Sequence, residues 1–195
     1  MYSVAFDLSA IERRTHHNKR SGKLPRWHKP GYAERVPNSM SRQAMHTLRV
    51  ERLSSITDTL ATDLTRLLAE LSPHAPTLSV EDFQRVFASD SVHLFVAWDD
   101  GVPAGMLTLV CATLLSGKKC MIEDVIVGSQ FRRRGIATAL LRSALSFACI
   151  YAARYIELTS RSEREEAHAL YHKFGFFERQ THVYRLTLLN KPLIQ

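Results

Sequence analysis

Residues 128–145 read GSQFRRRGIATALLRSAL. Three arginines run into Gly135, and an apolar, alanine- and leucine-rich stretch follows. Its spacing predicts a helix over 134–153 with an inner face of Ile136, Leu140, Leu141, Ala144, Leu145 and Ala148. The preceding IEDVIV (122–127) is an apolar run that reads as a strand. A strand that turns tightly into a helix presents the helix's unpaired N–H groups and the positive end of its dipole. Such a junction is a ready anion cradle. Gly135 and Ala137 are small enough to let a ligand approach the backbone, and Thr138 adds a hydroxyl. The sequence contains neither Gly-x-x-x-x-Gly-Lys-Ser/Thr, which serves nucleoside triphosphates, nor Gly-x-Gly-x-x-Gly, which serves dinucleotides.

Working outward, HTLRVERL (46–53) alternates like a strand. Ile56, Leu60, Leu64, Leu67, Leu68 and Leu71 form a helical stripe, closed by Pro73 and Pro76. SVEDFQRVFAS (79–89) predicts a short helix with Ser79 as N-cap and Asp82 three residues on. VHLFVAW (92–98), a turn at 99–101, and VPAGMLTLVCATLL (102–115) predict a hairpin. A second turn leads into CMIEDVIV (120–127). After the long helix come a strand at RYIELTS (154–160), a helix at REEAHALYHKF (164–174) ended by Gly175, and one or two last strands in FFERQTHVYRLTLL (176–189). The order implies an α+β fold of three layers (α/β/α). Its mixed, mostly antiparallel central sheet has six or seven strands, flanked by about four helices.

The chain has 195 residues, 45% of them hydrophobic and 23% charged, enough for one globular core. No stretch reaches the roughly 20 apolar residues of a membrane helix, and the first residues lack the apolar centre of a secretory signal. A cytoplasmic protein without membrane contact is expected. The formal charge of +7 is unevenly placed. Residues 1–46 hold nine Lys/Arg against three Asp/Glu, whereas the remainder is nearly balanced. Residues 1–46 are therefore expected to form a basic, disordered extension, and residues 47–195 the domain. Nucleic acid is not an expected partner, except through that arm. Cys111, Cys120 and Cys149 match no zinc or redox spacing and read as small buried hydrophobes. His168 and His172, four apart, lack a third ligand, so no metal is expected.

The six residues RRRGIA (132–137) resemble the Gln/Arg-x-x-Gly-x-Gly/Ala coenzyme A loop of the GNAT N-acetyltransferase superfamily. AHALYHKFGF (167–176) resembles that family's Ala-x-x-Leu/Phe-Tyr-x-x-x-Gly-Phe signature, and the element order from 47 to 188 is similar too. The resemblance implies an acetyl-CoA-dependent N-acetyltransferase that moves an acetyl group directly to a primary amine of an unidentified acceptor, with no metal. It implies that Val125, Ile126 and Val127 offer backbone groups to the pantetheine arm. Backbone N–H groups from about Arg133 to Thr138, through Arg134, Gly135, Ile136 and Ala137, would hold the pyrophosphate, with Arg132 and its neighbours supplying charge. By the same analogy Ser160 lies near the cleft.

Acetyl transfer needs a deprotonated amine, a stabilised carbonyl oxygen and a proton for the departing thiolate. The resemblance makes Tyr171 the proton donor and Glu123 the candidate base, acting directly or through water, with Asp124 orienting the site. Strand alternation should send Glu123 and Asp124 to opposite faces. Many family members carry Asn where this chain has Arg164. Two other readings remain open: an acyl-CoA sensor without turnover, and an acetyltransferase of an RNA-linked acceptor such as aminoacyl-tRNA. A homodimer is compatible with the resemblance.

Overall fold

The structure, a computed structural model, describes residues 47–72 and 75–186. The expectation for residues 1–46 lies outside them. The elements run β1 (Leu48–Arg52), α1 (Asp58–Leu71), α2 (Val80–Phe87), β2 (Val92–Asp99), β3 (Val102–Leu114), β4 (Gly117–Val127), α3 (Ile136–Ile150), β5 (Tyr155–Leu158) and α4 (Glu165–Lys173). A short 3-10 turn, Ser129–Phe131, links β4 to α3.

Local chemistry sets the boundaries. The Thr57 hydroxyl accepts from the Leu60 N–H at 3.3 Å and starts α1. The expected capping box opens α2: Ser79 Oγ accepts from the Asp82 N–H at 3.2 Å, and Asp82 accepts from the Ser79 N–H at 2.9 Å. Asp100 and Gly101, with φ of 50° and 81°, form the two-residue turn between β2 and β3.

The strands lie side by side in chain order, β1 to β4 antiparallel and β5 parallel to β4. Each face of the sheet carries its own core. On one face Ile136, Leu140, Leu141, Ala144 and Ala148 of α3 and Tyr171 of α4 pack on Phe95, Leu107, Leu109 and Ile122. On the other, Ala61, Leu64 and Leu67 of α1 and Phe83 of α2 pack on Leu94, Val96, Met106 and Ile126. Leu64, Leu140 and Leu141 are completely buried, each contributing roughly 1.5–3 kcal/mol. Leu145, expected on the inner face, is half-buried.

The class agrees with the expected α+β mixed sheet. The strand count is five among the described residues, not six or seven. Residues 176–186, read as part of the last strands, form no regular structure, and 187–189 lie outside the described residues. The reason is visible in the segment. Five polar residues stand in a row at 178–182, and Phe177, Val183, Tyr184 and Leu186 are all exposed. An Arg179–Glu157 ion pair at 2.6 Å is what ties it to β5.

A second difference lies inside β4. Thr108 faces Glu123 and Met106 faces Ile126, so Asp124 and Val125 together oppose Leu107. This is a β-bulge, with Asp124 at a φ of 48°. The bulge inverts the strand. Cys120 and Ile122 face the α3 core, but beyond Asp124 it is Val125 and Val127 that pack there, and Ile126 crosses to the α1 core. Simple alternation through 123 and 124 therefore fails, and Asp124 is left exposed.

Candidate active site

β4 and β5 pair only from Lys119 to Ile122 against Tyr155 to Leu158. β5 then ends, and β4 continues through Val125–Val127 with pairing to β3 alone. Its outer backbone groups border a cleft of about 660 Å³. The floor is Val125, Ile126 and Val127. One wall is Arg132, Arg133 and Gly135 to Thr138 at the start of α3; the other is Arg164, Ala167, Leu170 and Tyr171 of α4.

The α3 wall is built to leave N–H groups free. The first helical bond runs from the Ala139 N–H to the Gly135 carbonyl, at 3.0 Å. The N–H groups of Ile136, Ala137 and Thr138 thus have no partner in the helix. No side chain caps this terminus and its first turn holds no acid. Gly135 itself is the N-cap, at a φ of 78°, and a Cβ there would project into open space. Arg133 also adopts a left-handed backbone, with a φ of 62°. The junction is a concave array of donors backed by a 15-residue helix.

The three arginines diverge. Arg132 and Arg133 line the cleft. Arg133 forms an ion pair with Glu166 across it at 2.7 Å, both side chains largely exposed. Arg134 turns away: its guanidinium donates to the buried Asp99 at 2.8 Å and to the Gln130 carbonyl at 3.1 Å. The Arg134 side chain holds the loop to the β2–β3 hairpin, and Arg134 is not part of the cleft lining.

Tyr171 is 7% exposed and lines the cleft. Its ring meets Phe176 edge-on at 6.0 Å. Burial pushes its hydroxyl above the usual tyrosine range, and the Arg164 charge pulls it back in part. Glu123 does not border this cleft. It lies opposite Thr108, on the α1 side of the sheet, where burial and then the Asp124 charge push its carboxyl above the usual range. Tyr171 and Glu123 thus stand on opposite faces of the sheet. Ser160 is also outside the lining; its hydroxyl is 3.2 Å from His168 Nε2. His172 Nδ1 is 3.1 Å from the Phe176 carbonyl. Among the described residues no group of three His, Cys, Asp or Glu could hold a metal ion.

Sequence reasoning missed the acids that line the cleft. Glu70, near the end of α1, accepts from the Ser129 N–H at 2.9 Å and lines the cleft. Glu163, just before α4, and Glu165 and Glu166 in its first turn also border it. Nothing in the local sequence marks them, since each reads as an ordinary solvated acid.

A model of the acetyltransferase (GNAT) family matches residues 55–176. The chain belongs to the GNAT acetyltransferase family. An uncharacterized N-acetyltransferase of Methanocaldococcus jannaschii is 30% identical over 101 residues, 50% of this chain and 45% of that relative. The chain thus spans less than half the length of this GNAT relative. An aminoglycoside N-acetyltransferase solved in complex with CoA superposes with a TM-score of 0.63 at 18% identity, over 75% of this chain and 98% of that one. Glucosamine-6-phosphate N-acetyltransferase from Arabidopsis thaliana gives 0.62 at 20%, over 72% and 98%. At such identities these two establish the GNAT fold. No helix among the described residues is long and apolar enough to cross a membrane.

Proposed function

We propose that this GNAT protein is an acetyl-CoA-dependent N-acetyltransferase that acetylates a primary amine by direct transfer. One observation carries the reading: the unpaired edge of β4 leads straight into the uncapped start of α3, with Tyr171 on the facing wall. The residues present fit coenzyme A. Val125–Val127 offer strand-like hydrogen bonds to an amide-bearing arm. The N–H groups of Ile136, Ala137 and Thr138, with Arg132 and Arg133, suit a pyrophosphate. The absence of a Cβ at Gly135 keeps the approach open. When bound, acetyl-CoA supplies an activated acyl group as a thioester.

The chain's own groups supply the rest. The bulge at Asp124 interrupts the β3–β4 ladder beside the cleft, and so frees backbone N–H groups to stabilise a developing oxyanion. Tyr171 keeps its proton at neutral pH and can deliver it to a departing thiolate. Glu123, raised by burial, takes a proton from the incoming amine, directly or through water. The amine therefore approaches from the α1 face while Tyr171 acts from the α4 face.

Thiol release from acetyl-CoA with a panel of amines tests the reading. Amine-dependent release is expected. Coenzyme A binding without acetylation of any amine would leave the sensor reading instead.

A further inference from the structure

Cys111 and Cys120 are direct partners across the antiparallel β3–β4 pair. Both are free thiols, 1% and 0% exposed, and their Sγ atoms are 2.8 Å apart. That separation is not far beyond an S–S bond of about 2.05 Å, and directly opposed residues of a ladder have the Cα spacing that a disulfide spans. Neither side chain touches the acetyl-transfer cleft. We propose that Cys111 and Cys120 form a reversible cross-strand disulfide when the protein meets a low-molecular-weight disulfide oxidant.

The step is thiol–disulfide exchange. A thiolate of one cysteine attacks the oxidant and releases its first thiol. The second cysteine, deprotonated, attacks the protein sulfur of the mixed disulfide and releases the second. The two protein thiols lose two electrons and two protons, and the oxidant becomes two thiols. Burial, reinforced by the neighbouring sulfur, pushes the Cys111 thiol up to about 12, so the closed strand pair reacts slowly. Access comes from the hairpin end. Only the pairs Ala112–Lys119, Thr113–Lys118 and Leu114–Gly117 separate the cysteines from the turn, and Leu114 and Leu115 are exposed. This end is also held by the Thr113–Tyr151, Lys118–Tyr151 and Arg154–Lys118 hydrogen bonds and by the start of the β4–β5 pairing. The oxidant is admitted when these open together as a local unit. Cys120 also lies opposite Ile156 of β5, two pairs before the β4–β5 pairing ends at Ile122–Leu158, so the bond would clamp the paired part of the sheet below the β4–β5 wedge.

The test uses the full chain carrying Cys149→Ser, because Cys149 is an exposed thiol. The protein is incubated with glutathione disulfide, then denatured and alkylated, and its intact mass is read. The expected product is two hydrogens lighter, takes up no alkylating agent, recovers both thiols with dithiothreitol, and unfolds at a higher temperature than the reduced form. It forms faster as pH rises. The further substitution Cys111→Ala, which suits a buried apolar site, abolishes the product. Two alkylated thiols after exhaustive incubation would overturn the proposal, as would glutathione adducts in place of the internal bond.

Discussion

The guanidinium of Arg134 sits 2.8 Å from the carboxylate of Asp99, which is 6% exposed. A loop arginine that resembles a ligand for anions is thereby committed to holding two segments together. Arg134→Gln should destabilise the domain by about 1–3 kcal/mol, since it takes a charged donor from a buried carboxylate. Coenzyme A affinity should change far less than in Arg132→Gln. Denaturant unfolding and calorimetric titration of the two variants check both halves.

Arg133 and Glu166 face each other across the cleft mouth. An exposed pair of this kind contributes little to stability, but Glu166 competes with any phosphate for the Arg133 side chain. Glu166→Gln should tighten coenzyme A binding by about two- to fivefold at low salt, with unfolding unchanged. The gain should shrink as salt rises, because exposed charges are screened.

Gly135 and Gly175 share a left-handed backbone, with φ of 78° and 87°, and open space where a Cβ would go. Gly135→Ala and Gly175→Ala should therefore each cost about 1–2 kcal/mol of stability. Only the first places its methyl group at the cleft lining, where the proposal seats the pyrophosphate. A large loss of coenzyme A affinity is expected for Gly135→Ala and none for Gly175→Ala. Equal binding by the two variants would remove the pyrophosphate from this position.

Tyr171→Phe keeps the packing on Phe176 and removes the hydroxyl that the proposed mechanism uses as its acid. Turnover should fall by about 10²–10⁴-fold, with thermal stability nearly preserved. Because burial raises the Tyr171 hydroxyl, the alkaline limb of kcat should lie above the roughly pH 10 of a free tyrosine. As the proposed base Glu123 must be ionised, and its carboxyl is raised, so the acid limb should lie above the roughly pH 4.3 of a free glutamate. The folded state holds the Glu123 proton more tightly than the unfolded chain, so stability falls as pH climbs between the two values. Glu123→Gln should slow turnover and stabilise the protein slightly at neutral pH.

Elements with strong periodicity are legible in the amino-acid order itself. The stripe Ile136, Leu140, Leu141, Ala144 and Ala148 is buried as its spacing implies, and the Ser79–Asp82 box closes as read. A local pattern carries such features because neighbours three and four apart determine them. The bulge at Asp124 is not legible in this way. IEDVIV contains no Gly or Pro to mark it, and its cause is the register with Leu107 in another strand. The directions of the three arginines are equally hidden, since Asp99 lies 35 positions away. The described part of the expected last strands, 176–186, forms no strand because its polar run at 178–182 offers nothing to bury.

The bulge also has a consequence for how the molecule can change. Downstream of Asp124, Val125 and Val127 answer to the α3–α4 layer, and Ile126 alone answers to the α1–α2 layer. Beside the cleft, the two layers are coupled through a single buried side chain of this strand. Apart from Glu70 and Leu71, which border the cleft themselves, substitutions in α1 and α2 therefore reach the Val125–Val127 floor chiefly through Ile126. The two layers can thus vary on separate schedules, with Ile126 as the position where a change in one is felt by the other.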